Sequence, residues 1–163
     1  MVNVEIIPIT EEHIEGFWSA VDSVARERKY LAFLEGPPIN CTREFVLGNI
    51  EENWPHFIAV SDGQIIGWCD ISALDRPVFA HTGSLGIGIL ASYRGLGIGK
   101  RLMEMSIQKA DQKGLTRIEL TVREKISQSL PCMKNLDLKR KESIKMLSVL
   151  MENMKTTFLW HFY

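Results

Sequence analysis

Between residues 94 and 100 the chain reads Arg-Gly-Leu-Gly-Ile-Gly-Lys, directly after an apolar run and directly before a stretch of helical periodicity. A loop this rich in glycine leaves backbone N–H groups uncovered, and a helix that starts inside it adds the positive end of its dipole. The fold must therefore supply a strand that empties into this loop and a helix that leaves it. The natural occupant of such a junction is an anion.

Spacing separates the glycine-loop chemistries that compete for this segment. A triphosphate-binding loop needs a glycine five residues before its Gly-Lys pair and a Ser or Thr after the lysine. Those positions hold Arg94 and Arg101. A dinucleotide fingerprint needs a Gly or Ala three residues after its second glycine, for close helix packing. Counted from Gly97 or from Gly99, that position is Lys100 or Leu102.

The surrounding pattern is that of one α/β domain. Residues 2–9 are β-branched and short, and Thr10 is placed to cap a helix whose first turn carries Glu11 and Glu12. Ile14, Phe17, Trp18, Val21, Val24 and Ala25 recur at three- and four-residue intervals and form one apolar stripe. Gly36, Pro37 and Pro38 break the chain, and a second helix is expected over 42–53. Residues 57–60 and 65–71 flank Asp62-Gly63 and read as a hairpin. The next strand is 81–90, the next helix 99–113 with Leu102, Met103, Ile107 and Ala110 inward, and the strand after it 115–122.

Arg94, two residues, Gly97, one residue and Gly99, between that strand and that helix, resemble the acetyl-coenzyme A motif of the GNAT N-acetyltransferases. The resemblance covers residues 2–124. It implies the GNAT acyl-CoA N-acyltransferase fold, of α/β (α+β) class, with a mixed central sheet flanked by helices. It implies acetyl-CoA as cosubstrate and no metal. Pyrophosphate ligands would be Arg94, Gly95, Gly97, Gly99 and Lys100, mainly through main-chain N–H, with Ile89 and Leu90 against the pantetheine arm. The acceptor would be a primary amine of a small molecule or a protein N-terminus. Tyr30, Phe33 and Glu35 fall in the loop that lines the acceptor side in this family.

For the proton transfers, the carboxylates near segments that face the acceptor cleft are Glu35, Asp70 and Glu119. The four histidines, His13, His56, His81 and His161, are scattered and claim no role. In the family the thiolate is protonated by a tyrosine in a Leu-Tyr-Glu-Lys helix after the strand 115–122, and this chain has no such motif.

Residues 125–163 depart from the family altogether. They contain no glycine, so the Gly-Phe step and the turn between two closing strands are missing, and those strands are expected to be altered or absent. An overlapping reading frame explains the departure. When the last base of each codon is taken with the first two of the next, Met133 with Lys134 forces Glu and Met151 with Glu152 forces Gly. Met154 with Lys155 forces Glu, Trp160 with His161 forces Ala, and Cys132 with Met133 gives Tyr or His. With permissive codons that frame reads N-L-A-I-A-A-L-Y-E-K-F-G-F, which is how a GNAT chain continues. The expectation is a core over 1–124 and a tail over 125–163 that is a frameshift product, not a separate domain. The rival reading is a divergent native tail, since Ile144, Leu147, Leu150, Met151 and Met154 fall at helical spacings.

Composition bounds the partners. With 19 basic and 20 acidic residues the net charge is −1, which gives nucleic acid or an anionic membrane nothing to attract it. Cys41, Cys69 and Cys132 are odd in number and isolated, which argues against a disulfide framework or a zinc site and for a reducing cytoplasm. No signal-peptide pattern opens the sequence, and no apolar run reaches the roughly 18 residues of a membrane span. The family resemblance implies a homodimer paired through C-terminal strands, which an altered tail would disturb.

Overall fold

A computed structural model describes residues 3–73, 77–123, 138–141 and 146–152. Strand β1 (Glu5–Pro8) leads through a single 3-10 turn into α1 (Ile14–Arg26), and α2 (Ile39–Glu51) follows. Next come β2 (His56–Ser61), β3 (Gln64–Ala73), β4 (Thr82–Ile89), α3 (Ile98–Gln112) and β5 (Arg117–Arg123). The strands form one mixed sheet in which β4 and β5 are parallel. Helix α2 begins three residues earlier than its sequence pattern suggests, because Pro38 presents its carbonyl to the Thr42 N–H at 3.1 Å and the helix starts directly behind the proline.

Each face of the sheet is covered. Leu102, Met103 and Ala110 of α3 pack with Ile66, Cys69, Ile71, Leu85 and Ile118 on one side. Ile14, Phe17, Val21 and Val24 of α1 and Val46 of α2 pack with Ile58, Ile65 and Trp68 on the other. Leu102, Ile66 and Ile118 are wholly buried, and each such side chain contributes about 1.5–3 kcal/mol.

The β2–β3 hairpin turns at Asp62 (φ 48°) and Gly63 (φ 76°), the left-handed pair that matches the twist of the flanking strands. A bulge between Ala59 and Val60 then shifts the register, so that His56 faces Asp70.

One expectation about the tail is corrected. Two strands do stand there: β6 (Leu138–Lys141) and β7 (Met146–Glu152), antiparallel to each other, with β7 antiparallel to β5 from Arg123↔Met146 to Arg117↔Glu152. The physical reason is the open edge of β5, which a segment alternating through Leu147, Val149 and Met151 can complete, and this pairing prevails over the helical spacing of the same residues. β6 is short, at four residues. The hidden Leu-Tyr-Glu-Lys stretch falls on residues outside those described.

Candidate active site

Strands β4 and β5 lie side by side for only part of their length. Their parallel ladder runs from Thr82↔Arg117 to Leu85↔Leu120 and ends there, while β5 goes on to Arg123 and β4 to Ile89. Residues 86–89 of β4 stay paired to β3, as in Gly86↔Asp70 and Ile89↔Gly67, but have no ladder partner on the β5 side among the described residues. The sheet therefore opens into a wedge whose apex is at Leu85 and whose mouth is the glycine loop.

At that mouth Gly95 and Gly97 both have φ of +75°, and a Cβ on either would meet nothing within 4 Å. Gly97 is the residue from which α3 starts, and the first helical bond is donated by Arg101 to Gly97 O at 3.3 Å. The N–H groups of Ile98, Gly99 and Lys100 precede that bond and have no carbonyl one turn back within the helix. They point the same way as the helix dipole, toward an open cavity. Ile89, Arg94, Gly95, Gly97, Gly99 and Lys100, all singled out from the sequence, line this cavity with Tyr93 and Ile98. Leu90 instead packs against the two hydrophobic clusters.

Arg94 lines the cavity with Nε and both Nη atoms already engaged. Its Nη atoms bind both carboxylate oxygens of Glu27, one at 2.8 Å, and its Nε donates to Ile89 O at 2.9 Å. Its own N–H donates to Ala91 O at 3.4 Å, and the guanidinium carbon stands 4.4 Å from the centre of the Tyr30 ring. The hydrogen bonds to Glu27 hold the Arg94 charge still more firmly than usual. Arg94 thus braces the loop, α1 and the end of β4 together. Lys100 Nζ leans toward Glu104 Oε1 at 3.8 Å.

The residues expected on the acceptor side do not converge. Tyr30 lies under Arg94, Phe33 is 43% exposed, and Glu35 is exposed with its carboxylate 3.9 Å from Arg26. The loop that carries them is tied back to α1 by Gly36 N–H to Asp22 Oδ1 at 2.7 Å and by Trp18 Nε1–H to Pro37 O at 2.6 Å. Glu119 is paired with Arg117 at 2.8 Å. Asp70 differs from both: it is 8% exposed, and burial pushes its carboxyl up to about 7. His56, set aside in the sequence, is its cross-strand neighbour and is buried, with its pKa pulled down to about 3 by desolvation. Asn49 Nδ2 lies 3.2 Å from His56 Nδ1, and Phe17 packs edge-on at 4.8 Å between ring centres.

A model of the acetyltransferase (GNAT) family matches residues 18–136. The chain belongs to the GNAT acetyltransferase family. Solved structures agree on the fold. A GNAT-family acetyltransferase from Streptococcus pneumoniae shares 19% identity with a TM-score of 0.72, over 91% of this chain and 97% of that one. A ribosomal-protein-alanine N-acetyltransferase from Brucella melitensis shares 14% at TM-score 0.74, over 91% and 98%. A GNAT phosphinothricin acetyltransferase from Sinorhizobium meliloti, solved in complex with acetyl-CoA, shares 14% at TM-score 0.76, over 98% and 95%. No curated protein matches the chain.

Among the described residues of this GNAT protein, no three His, Cys, Asp or Glu side chains gather as a metal site would require. None of the described helices is long and apolar enough to cross a membrane.

Proposed function

We propose that this chain transfers an acetyl group from acetyl-CoA to a primary amine of a small molecule or of a protein N-terminus, in the cytoplasm. The observation that carries the reading is the meeting of two features: the β4 edge left free beyond Leu85, and the unsatisfied N–H groups at the start of α3. The first suits the extended, amide-bearing arm of coenzyme A, which can add to the open edge as a strand would. The second suits its pyrophosphate, held by the N–H groups of Gly95, Gly97, Gly99 and Lys100 while Ile89 borders the arm. Arg94 acts in this reading by fixing the loop against Glu27. When bound, the coenzyme supplies an activated thioester; the protein supplies position, exclusion of water and a proton acceptor.

A second reading, a silent coenzyme-binding protein, is favoured by one observation. Tyr30, Tyr93 and Tyr163 are the only tyrosines, and none occupies the Leu-Tyr-Glu-Lys position that protonates the thiolate in this family. Loss of a general acid costs about 10²–10⁴-fold in rate. Titration calorimetry with acetyl-CoA, run beside a thiol-release assay over a panel of amines, separates the two. Binding with turnover of any amine supports acetyl transfer, and binding without it supports the silent reading. Failure to bind overturns both.

A single base lost near the codon of Lys125, with residues 125–163 as the frameshift product, would account for the missing tyrosine. The forced codons at Met133, Met151, Met154 and Trp160 speak for it. The pair β6–β7 speaks against it, since a chance reading frame has no reason to supply sheet strands. Sequencing the coding DNA across the codon of Glu124 decides: an intact frame in the source genome that encodes this tail sinks the proposal.

A further inference from the structure

The GNAT wedge has a second wall. Asp70 stands on β3 opposite Gly86, the first residue of β4 beyond the last β5 pair. Because Gly86 has no side chain, the Asp70 carboxylate lies across it: a Cβ there would be 2.9 Å from Asp70 Oδ2. Two residues along the same face, the Trp68 ring lies over Gly88 in the same manner. Both glycines therefore open the floor of β4 so that side chains of β3 reach the edge where β5 has left. Among the described residues no hydrogen bond or ion pair engages the Asp70 carboxylate, which is 8% exposed and whose oxygens, unlike His56 Nε2, keep some contact with solvent. Desolvation disfavours the charged form of such a carboxyl, and a group perturbed in this way inside a cleft is a candidate for chemistry.

Its face of the sheet matters as much as its depth. Cys69, next in sequence, points to the α3 side, where Ser106 Oγ donates to its carbonyl at 3.4 Å. Asp70 points to the opposite side, with Trp68 and α1. The anion cradle belongs to the start of α3, so cradle and carboxylate approach the wedge from opposite faces. The titratable groups beside Asp70 are His56, its partner on β2, and the buried Cys69 thiol; among the described residues no charged side chain of α1, α2 or β4 is paired with it.

We propose that Asp70 is the proton acceptor for the incoming amine, taking up its ammonium proton at the apex of the wedge. This rests on the acetyl-transfer reading above. The protonated amine gives one proton to a carboxylate oxygen of Asp70, and its freed lone pair forms the C–N bond to the thioester carbonyl carbon. The C–S bond breaks, its electron pair leaves on sulfur, and the second nitrogen proton passes to that thiolate, leaving an amide N–H and a coenzyme thiol. Asp70 returns its proton to solvent. A carboxyl raised close to neutrality by burial is well matched to this exchange, whereas the exposed Glu35 and the ion-paired Glu119 are not.

Two measurements on the full chain test it. In the first, Asp70→Asn is compared with the unaltered chain for acetyl-CoA affinity by calorimetry and for kcat/KM by thiol release between pH 5.5 and 9 in about half-unit steps. The expected result is affinity within about twofold, kcat/KM lower by about 10²–10⁴-fold, and loss of a rise with pH centred near 7. An Asp70→Asn rate within about threefold overturns the proposal. In the second, aspartate carboxyl carbons are labelled and titrated by NMR, with Asp70 identified by its absence in Asp70→Asn or, should that variant not fold, Asp70→Ser. A carboxyl that titrates near 7 and moves when acetyl-CoA is added supports the proposal. One that titrates as an ordinary aspartate, or ignores bound coenzyme, overturns it. Absence of coenzyme binding sinks the site itself, whereas binding with an indifferent Asp70 sinks only this inference.

Discussion

The Arg94 guanidinium grips the Glu27 carboxylate across 67 residues of chain and so fastens the end of α1 to the glycine loop. Both side chains are mostly buried, at 15% and 25% exposure, and Arg94 has the Ile89 carbonyl as a further acceptor. Glu27→Gln keeps the shape and removes the charge. It should cost about 1–2 kcal/mol in urea unfolding, the scale of a charged hydrogen bond discounted for partial exposure. Coenzyme affinity should fall about tenfold in calorimetry, equivalent to about 1.4 kcal/mol, because the loop loses its brace. Unchanged affinity would mean that the glycine loop holds its own shape.

Gly97→Ala tests the cradle from the inside. The residue has φ of +75°, where an L side chain costs about 1–2 kcal/mol, and its Cβ would project into the open cavity. Calorimetry should show coenzyme binding weakened by more than about tenfold, beyond what the lower melting temperature explains.

Gly88→Ala tests the β4 floor. A Cβ at Gly88 would run into the six-membered ring of Trp68. Overpacking of this kind costs about 1–3 kcal/mol, and a displaced Trp68 should shift the intrinsic fluorescence.

His56 and Asp70 face each other across β2 and β3 and should pull the stability against pH in opposite directions. His56 is held neutral with a folded pKa of about 3 against 6.5, so the unfolded chain binds more protons in that window and stability rises with pH. Asp70 has a folded pKa of about 7 against 3.8, so the folded chain binds more protons and stability falls with pH. Urea unfolding between pH 4 and 6.5 should therefore be nearly flat for these two groups together. Asp70→Asn should expose the His56 slope, rising by about 1.4 kcal/mol per pH unit, and His56→Phe should expose the opposite slope. Two variants that slope the same way would refute both assignments.

The Arg94-to-Lys100 loop was legible in the sequence because its signal is local: glycine backbone freedom, a strand before it and a helix after it. The hairpin was legible for the same reason, through Asp62 and Gly63. Asp70 emerged only as one carboxylate among three, because its place depends on register. Counted outward from the turn without a bulge, Asp70 would face Pro55; the shift at Ala59 and Val60 brings it to His56. The Glu27–Arg94 clasp was hidden by sequence distance, since neither residue's neighbours announce the other. Gly86 and Gly88 did carry a usable signal, because glycine inside a strand often marks a close approach.

The parting of β4 from β5 also bears on how the protein behaves when nothing is bound. A sheet that opens in its middle carries an edge inside its own outline, with donors and acceptors on residues 86–89 as ready to take a peptide strand as any outer edge. If coenzyme A fills this edge as proposed, the melting temperature should rise with its supply: a ligand at one hundred times its dissociation constant adds about 2.7 kcal/mol. The same arithmetic makes the empty protein the one to watch for self-association, since a second chain offering a free strand would compete for the slot proposed for coenzyme A.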